Sequence, residues 1–140
     1  MDYTNNPNAY LNVSTQYNGT TFAGSYLDTG TNGLFFTDAT LPRCQGSTWY
    51  CPKSTLNASA QVSDGDNPTQ NRVAVSFQIG NAEGLFATSN TAFGDAAGAT
   101  PTAASSFAWG MPFFYGRQVY LAIWQQAGAL TAPWYAWAPL

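Results

Sequence analysis

Residues 11–27 alternate apolar and polar side chains on both sides of a central Asn18-Gly19 pair. Leu11, Val13 and Thr15 fall on one face of the alternation, and Asn12, Ser14 and Gln16 on the other. This is the two-residue period of a strand with one buried face. Asn-Gly accepts positive φ at both positions, so it closes a two-residue hairpin and Thr20 to Leu27 pairs back. No segment of the 140 residues sustains a 3.6-residue period. The chain is therefore expected to be all-β and to form a single domain over 1–140, without internal repeats.

Beyond the hairpin, Asp28 to Gly33 is a turn-rich break, followed by the short apolar strand Leu34-Phe35-Phe36. Residues 37–55 read as an irregular loop holding both cysteines. Leu56 to Ser63 and Arg72 to Ile79 are two alternating strands joined by a polar turn over 64–71. Asn81 to Gly84 reads as another turn, and Leu85-Phe86-Ala87 as a short strand. The small residues of 94–106 predict a long flexible loop. Pro112 suits the first position of one short helical turn. Gln118 to Trp124 and Trp134 to Trp137 close the chain as strands, with a turn at Ala127 to Ala129. Residues 1–9 are polar and are expected to be disordered.

Charge narrows the chemistry. Charged residues make up 8% of the chain, against roughly 25% in an ordinary soluble domain, so hydroxyls and amides must wet the surface. A net charge of −3 with four basic residues argues against a nucleic-acid partner. No histidine and two cysteines argue strongly against a His/Cys zinc site, and the lack of imidazole excludes Ser-His-Asp and Cys-His mechanisms within this chain. No metal or cofactor is expected. No run approaches the ~20 apolar residues of a membrane span.

Cys44 and Cys51 enclose six residues between Pro42 and Pro52. A disulfide is expected here, worth roughly 2–3 kcal/mol in the loop-entropy account; the alternative is two unpaired buried thiols. A bridge implies an oxidising compartment, hence an exported protein (periplasmic, cell-surface or secreted). Residues 1–9 lack the apolar centre of a leader, so an exported protein has lost its leader in this chain, which is then a fragment of something longer. Three Asn-x-Ser/Thr triplets, at Asn12, Asn18 and Asn57, carry little weight in a chain so rich in Asn and Thr.

Catalysis would fall to the seven carboxylates. Asp38, Asp64, Asp66, Asp95 and Glu83 sit in turn-like contexts, where a carboxylate bonds local N–H groups, and Asp2 lies at the chain end. Asp28 differs. It ends a strand after the apolar pair Tyr26-Leu27, and Gly30 and Gly33 leave room for a second backbone to approach.

The sequence LNVSTQYNGTTFAGSYLDTGTNGLFF, residues 11–36, resembles the first part of a pepsin-like or retropepsin-like aspartic protease lobe. Ala108-Trp109-Gly110, then Met111 to Gly116, then Arg117 to Ile123 fit the apolar-apolar-Gly, helical turn and strand that such a lobe presents later. Trp134 to Leu140 resembles its closing strand. FAWGMPFFYGRQVYLAI, residues 107–123, more closely resembles an uncharacterised family of bacterial exported proteins grouped with these proteases. The resemblance implies a single lobe, a closed or partly open β-barrel with a ψ-loop and one short helical turn.

It also implies roles. Asp28 would be one of two catalytic aspartates sharing a proton. Thr29 would bond across to the partner lobe, Gly30 would bring its N–H to the carboxylate, and Thr31 would hydrogen-bond the outer carboxylate oxygen. Gly110, after Trp109, would let the apolar strand pass beneath the Asp-Thr-Gly loop. The chain carries one such triplet, so the second aspartate is implied to come from a homodimer partner or a second lobe, with a peptide as substrate. The polar hairpin around 64–71 is the candidate flap, although its tip lacks an aromatic residue. Met111 stands where many pepsin-like lobes carry an acidic residue.

A competing reading is a catalytically inactive domain of the same fold that binds carbohydrate or protein at a cell surface. Trp109, Trp124, Trp134 and Trp137 would then stack on sugars, against the simpler expectation that they fill a core or a buried interface.

Overall fold

A computed structural model describes residues 2–5, 11–65, 67–100, 105–122 and 134–140. In chain order the elements are β1 (Asp2–Asn5), β2 (Val13–Tyr17), β3 (Thr20–Leu27), β4 (Leu34–Phe35), β5 (Leu56–Asp64), β6 (Val73–Ile79) and α1 (Ala82–Phe86). They continue as β7 (Ala97–Gly98), β8 (Ala108–Trp109), α2 (Met111–Phe114), β9 (Arg117–Ala122) and β10 (Trp134–Pro139). The protein is mostly β, with a nearly closed, barrel-shaped sheet and no long helix among the described residues.

The β2–β3 hairpin turns at Asn18 and Gly19, which take φ of 47° and 78°. Tyr17 pairs with Thr20 next to the turn, and the register slips between Val13 and Thr15 farther along. The larger sheet runs β6-β5-β2-β3-β8-β4-β7. Its centre has an unusual order: β8, from late in the chain, lies parallel to β3 and antiparallel to β4, between two strands joined by the Asp28 loop. The smaller sheet, β1-β10-β9, is antiparallel throughout.

The core is aromatic. Phe36 stacks on Phe107 with centroids 4.4 Å apart and planes 4° from parallel, and Phe107 stacks on Trp109 at 4.3 Å. Phe77 meets Phe36, Phe107 and Trp109 edge-on, a geometry that sets a positive ring edge against a negative face. Trp109 and Trp137 are buried within this core and offer no exposed stacking face, while Trp134 is half-buried. Trp124, the turn at 127–129 and Asp66 lie outside the described residues.

Four segments differ from the sequence expectation. Residues 2–5, read as disordered, form β1 and pair with β10 from Asp2↔Trp137 to Asn5↔Trp134. Tyr and Thr favour strands, and β10 supplies an otherwise open edge. Residues 82–86, read as turn and strand, form α1, because the Asn81 side chain caps it by accepting from the Gly84 N–H at 3.0 Å. The described residues thus hold two short helices rather than one helical turn. Within the expected flexible loop, Ala96 to Ala99 are buried and contain β7, because small side chains let this backbone run against β4 and Thr48. The cysteine loop is likewise tied down, with Arg43 bridged to Tyr50 and Trp49 to Gly98.

Candidate functional site

Asp28 follows the last residue of β3, where β8 runs alongside. Leu27 is the register partner of Trp109, and the Asp28 N–H donates to the Trp109 carbonyl at 3.0 Å. The backbone then turns sharply, with the Thr31 N–H donating to the Asp28 carbonyl at 3.3 Å. This turn folds two donors back onto the carboxylate. The Gly30 N–H reaches Oδ1 at 2.8 Å and the Thr31 hydroxyl reaches Oδ2 at 2.6 Å.

Both donors stabilise the charged form, so the Asp28 carboxyl is held below the usual aspartate range, by Thr31 first and Gly30 second. A Cβ on Gly30 would sit 3.2 Å from Oδ1, which makes glycine the residue that fits most easily there. Thr29 is exposed at the tip of the loop.

Gly110 fixes the other side of the site. Its position ends β8 directly against the Asp28 loop, and a Cβ there would collide with the carbonyl oxygens of Thr31 and Gly33. The chain passes close enough for the Met111 N–H to donate to the Thr31 carbonyl at 2.7 Å. Gly110 then caps α2, whose second residue is Pro112. Trp109 is fully buried, and its indole N–H donates to the Thr15 hydroxyl at 2.9 Å. Asp28, Gly30, Thr31 and Trp109 therefore form one hydrogen-bonded unit with Gly110 packed against it, although some 80 residues separate its two halves in sequence.

Tyr135 was not singled out by sequence. It is buried on β10, and its phenol is pushed up by burial and then by the charge of Asp28. The available signal was the Trp134-Tyr-Ala-Trp137 alternation, which puts Tyr135 and Trp137 on one face.

A carboxylate held this way is a stable anion with an open side. Alone it is a weak base, since its donors lower its affinity for protons. Beside a second carboxylate it would be suited to the ionised role, because two such groups a few ångströms apart cannot both ionise easily.

Cys44 and Cys51 form a disulfide with their Cα atoms 4.9 Å apart. With Glu83 they make the only group of three metal-type ligands among the described residues, but both sulfurs are bonded to each other. No helix of the described residues is long and apolar enough to cross a membrane.

At the far end of β3, Asp38 is buried beside Tyr17. Burial pushes its carboxyl up, but hydrogen bonds from Thr40, with Tyr17 and Asn18 alongside, outweigh this and hold it below the usual range. The Tyr17 phenol is pushed up to about 12, by burial first and by Asp38 second.

No curated protein and no solved structure matches this chain. One family model, described as a protein of unknown function (DUF3443), matches residues 3–137. That match takes in both the Asp28 loop and the Trp109-Gly110 segment, and the chain belongs to this family.

Proposed function

We propose that the chain is one lobe of an aspartic-type peptidase and that Asp28 is its catalytic carboxylate, paired with the equivalent residue of a second lobe or second copy. The observation that carries this reading is the Asp28 loop itself. Gly30 and Thr31 grip the two carboxylate oxygens while β8 is threaded between β3 and β4 and ends at Gly110 beneath the loop. A crossing of this kind is what the ψ-loop of a pepsin-like or retropepsin-like lobe would require, and it supports that reading.

The register adds support. Val13 pairs with both Ser25 and Asp64, so the tip of the β5–β6 hairpin lies at the same end of the sheet as Asp28, where a substrate-covering flap would be needed. In the paired state the ionised aspartate takes a proton from water as it attacks the scissile carbonyl. The protonated partner donates to the carbonyl oxygen, giving a neutral tetrahedral intermediate. Its collapse returns a proton to the leaving nitrogen. Thr29, exposed at the loop tip, would bond to the partner's backbone.

The experiment is cleavage of a peptide library from acid to neutral pH, by the chain alone and joined to its second lobe. Cleavage abolished by Asp28→Asn and by a statine-type inhibitor is the expected result. No cleavage by any assembled form would overturn the reading. The same experiment addresses the non-catalytic alternative, which is favoured by the single carboxylate at this loop. The burial of Trp109 and Trp137 weighs against a tryptophan platform for sugars.

A further inference from the structure

The opposite end of the β2–β3 hairpin holds a buried anion with one oxygen unaccounted for. Asp38 is 8% exposed. Its Oδ1 accepts from the Thr40 N–H at 2.8 Å and the Thr40 hydroxyl at 2.6 Å. Its own N–H donates to the Tyr50 hydroxyl at 3.0 Å, which in turn donates to the Phe36 carbonyl at 2.7 Å. The residue is thus clamped in place by both its backbone and its side chain. Oδ2 is buried and has no hydrogen-bond partner among the described residues. Tyr17 and Asn18 are polar neighbours that help to hold the carboxyl in its charged form, yet neither comes into hydrogen-bond geometry with Oδ2.

Turn chemistry explains Oδ1 but not Oδ2. A charged oxygen taken out of water and left unpaired is costly, and such an atom calls for a missing partner. Among the described residues none supplies it. Arg72 is engaged with the Pro68 carbonyl and Arg117 with the carbonyls of Phe113 and Ser76, while Arg43 acts on Tyr50 and Lys53 is exposed, neither bonding Oδ2. Asp38 borders a cavity of about 220 Å³, whose other polar walls are Tyr17, Asn18, Thr20, Thr37 and Thr40. Every one of these side chains can present an oxygen, and none presents a sulfur or an imidazole. That donor set suits a hard cation and not zinc or copper. A volume of this size corresponds to about seven waters at roughly 30 Å³ each, room for an ion that keeps part of its hydration.

We propose that this cavity is a calcium site, in which Asp38 Oδ2 is the anionic ligand and the oxygens of Asn18, Thr20, Thr37 and Thr40 complete the shell directly or through water. Calcium accepts six to eight oxygens in flexible arrangements, whereas magnesium demands a tight octahedron that scattered threonine hydroxyls do not offer. One carboxylate gives a weak site, with a Kd on the order of 10⁻⁴–10⁻³ M, the range of extracellular modules. The ion would fasten the 37–40 turn to the hairpin turn. This end of β3 is the one remote from Asp28, so the site is independent of the peptidase reading.

Terbium, which replaces calcium and emits when nearby tyrosines are excited, is the probe. In the full chain, tyrosine-sensitised emission should saturate at one ion per chain and be displaced by calcium well before magnesium. Calcium should also raise the thermal midpoint relative to a chelator. Asp38→Asn should weaken calcium binding by about tenfold or more, in line with losses of ligand-shell groups elsewhere. Asn18→Gly, which preserves a residue at home with positive φ, should weaken it with the fold intact, and it decides the matter if Asp38→Asn does not fold. Absence of a saturable, calcium-displaced signal in the unaltered chain would overturn the proposal. So would wild-type binding in both variants.

Discussion

Trp109 and Asp28 are joined through their backbones, the Asp28 N–H donating to the Trp109 carbonyl at 3.0 Å, while the Trp109 ring is anchored 2.9 Å from the Thr15 hydroxyl. The buried indole thereby couples the position of the Asp28 loop to the middle of the β2–β3 hairpin. Thr15 is itself fully buried, so no water stands ready to replace its oxygen. Thr15→Val should leave the indole N–H unpaired and cost about 1–3 kcal/mol. Urea unfolding measures this, with Thr15→Ser expected to retain most of the stability. Equal midpoints for the valine and serine variants would mean that the hydrogen bond contributes nothing.

Gly110 and Gly84 give opposite expectations for the same change. A Cβ on Gly110 would strike two backbone carbonyls, which cannot rotate away as a side chain would. Gly110→Ala should therefore destabilise by about 1–3 kcal/mol or more, as overpacking does. Gly84 lies inside α1, and its Cβ would meet only the Asn81 side chain at an ordinary 3.7 Å. Gly84→Ala should be neutral, or stabilising by up to about 1 kcal/mol through helix propensity. Calorimetric midpoints of the two variants make the comparison.

The hairpin and the Asp28 loop were legible because they depend on local chemistry. Asn18-Gly19 dictates its own turn, and the Asp28–Thr31 contacts span three residues. The β5–β6 pair was legible for the same reason, as two alternating runs around a polar turn. Other elements depend on what lies across the fold. Ala97 and Gly98 look like linker until Leu34 and Phe35 are set beside them in parallel register. Asp2 to Asn5 become a strand only when β10, more than 130 residues later, offers its edge. The one local signal misread was Asn81, which caps a helix with the same side-chain oxygen that would have closed a turn. Nothing in Thr37-Asp-Ala-Thr40 distinguishes an aspartate that bonds its own turn from one that does so with its second oxygen buried and unpaired.

The Cys44–Cys51 disulfide closes a loop whose contents are themselves integrated into the fold. The Cys44 N–H donates to the Trp49 carbonyl at 2.9 Å, and Tyr50, next to Cys51, is fully buried. Reduction should therefore lower stability through the unfolded chain without displacing Tyr50. The expected loss is about 2–3 kcal/mol, read as a fall in the urea midpoint with the native near-ultraviolet signal retained. Loss of that signal in the reduced protein before unfolding begins would show that the bridge holds the loop in place.

The pH dependence of Asp28 has a definite sign. Its folded pKa is depressed, because Thr31 and Gly30 donate to the charged form. The stability this supplies is fully present above the unfolded value, about 4, and is lost as pH falls through the lower folded value. Thr31→Val removes the larger of the two donors, so the carboxyl should titrate at higher pH, in a carbon-detected NMR titration of the side chain. The variant's stability deficit should appear above about pH 4 and vanish in stronger acid. It should be modest, since an exposed carboxylate is well screened. Thr31→Ser restores the hydroxyl and should restore the low titration point. An Asp28 titration unmoved by Thr31→Val would show that the 2.6 Å contact does not control the charge of the carboxylate.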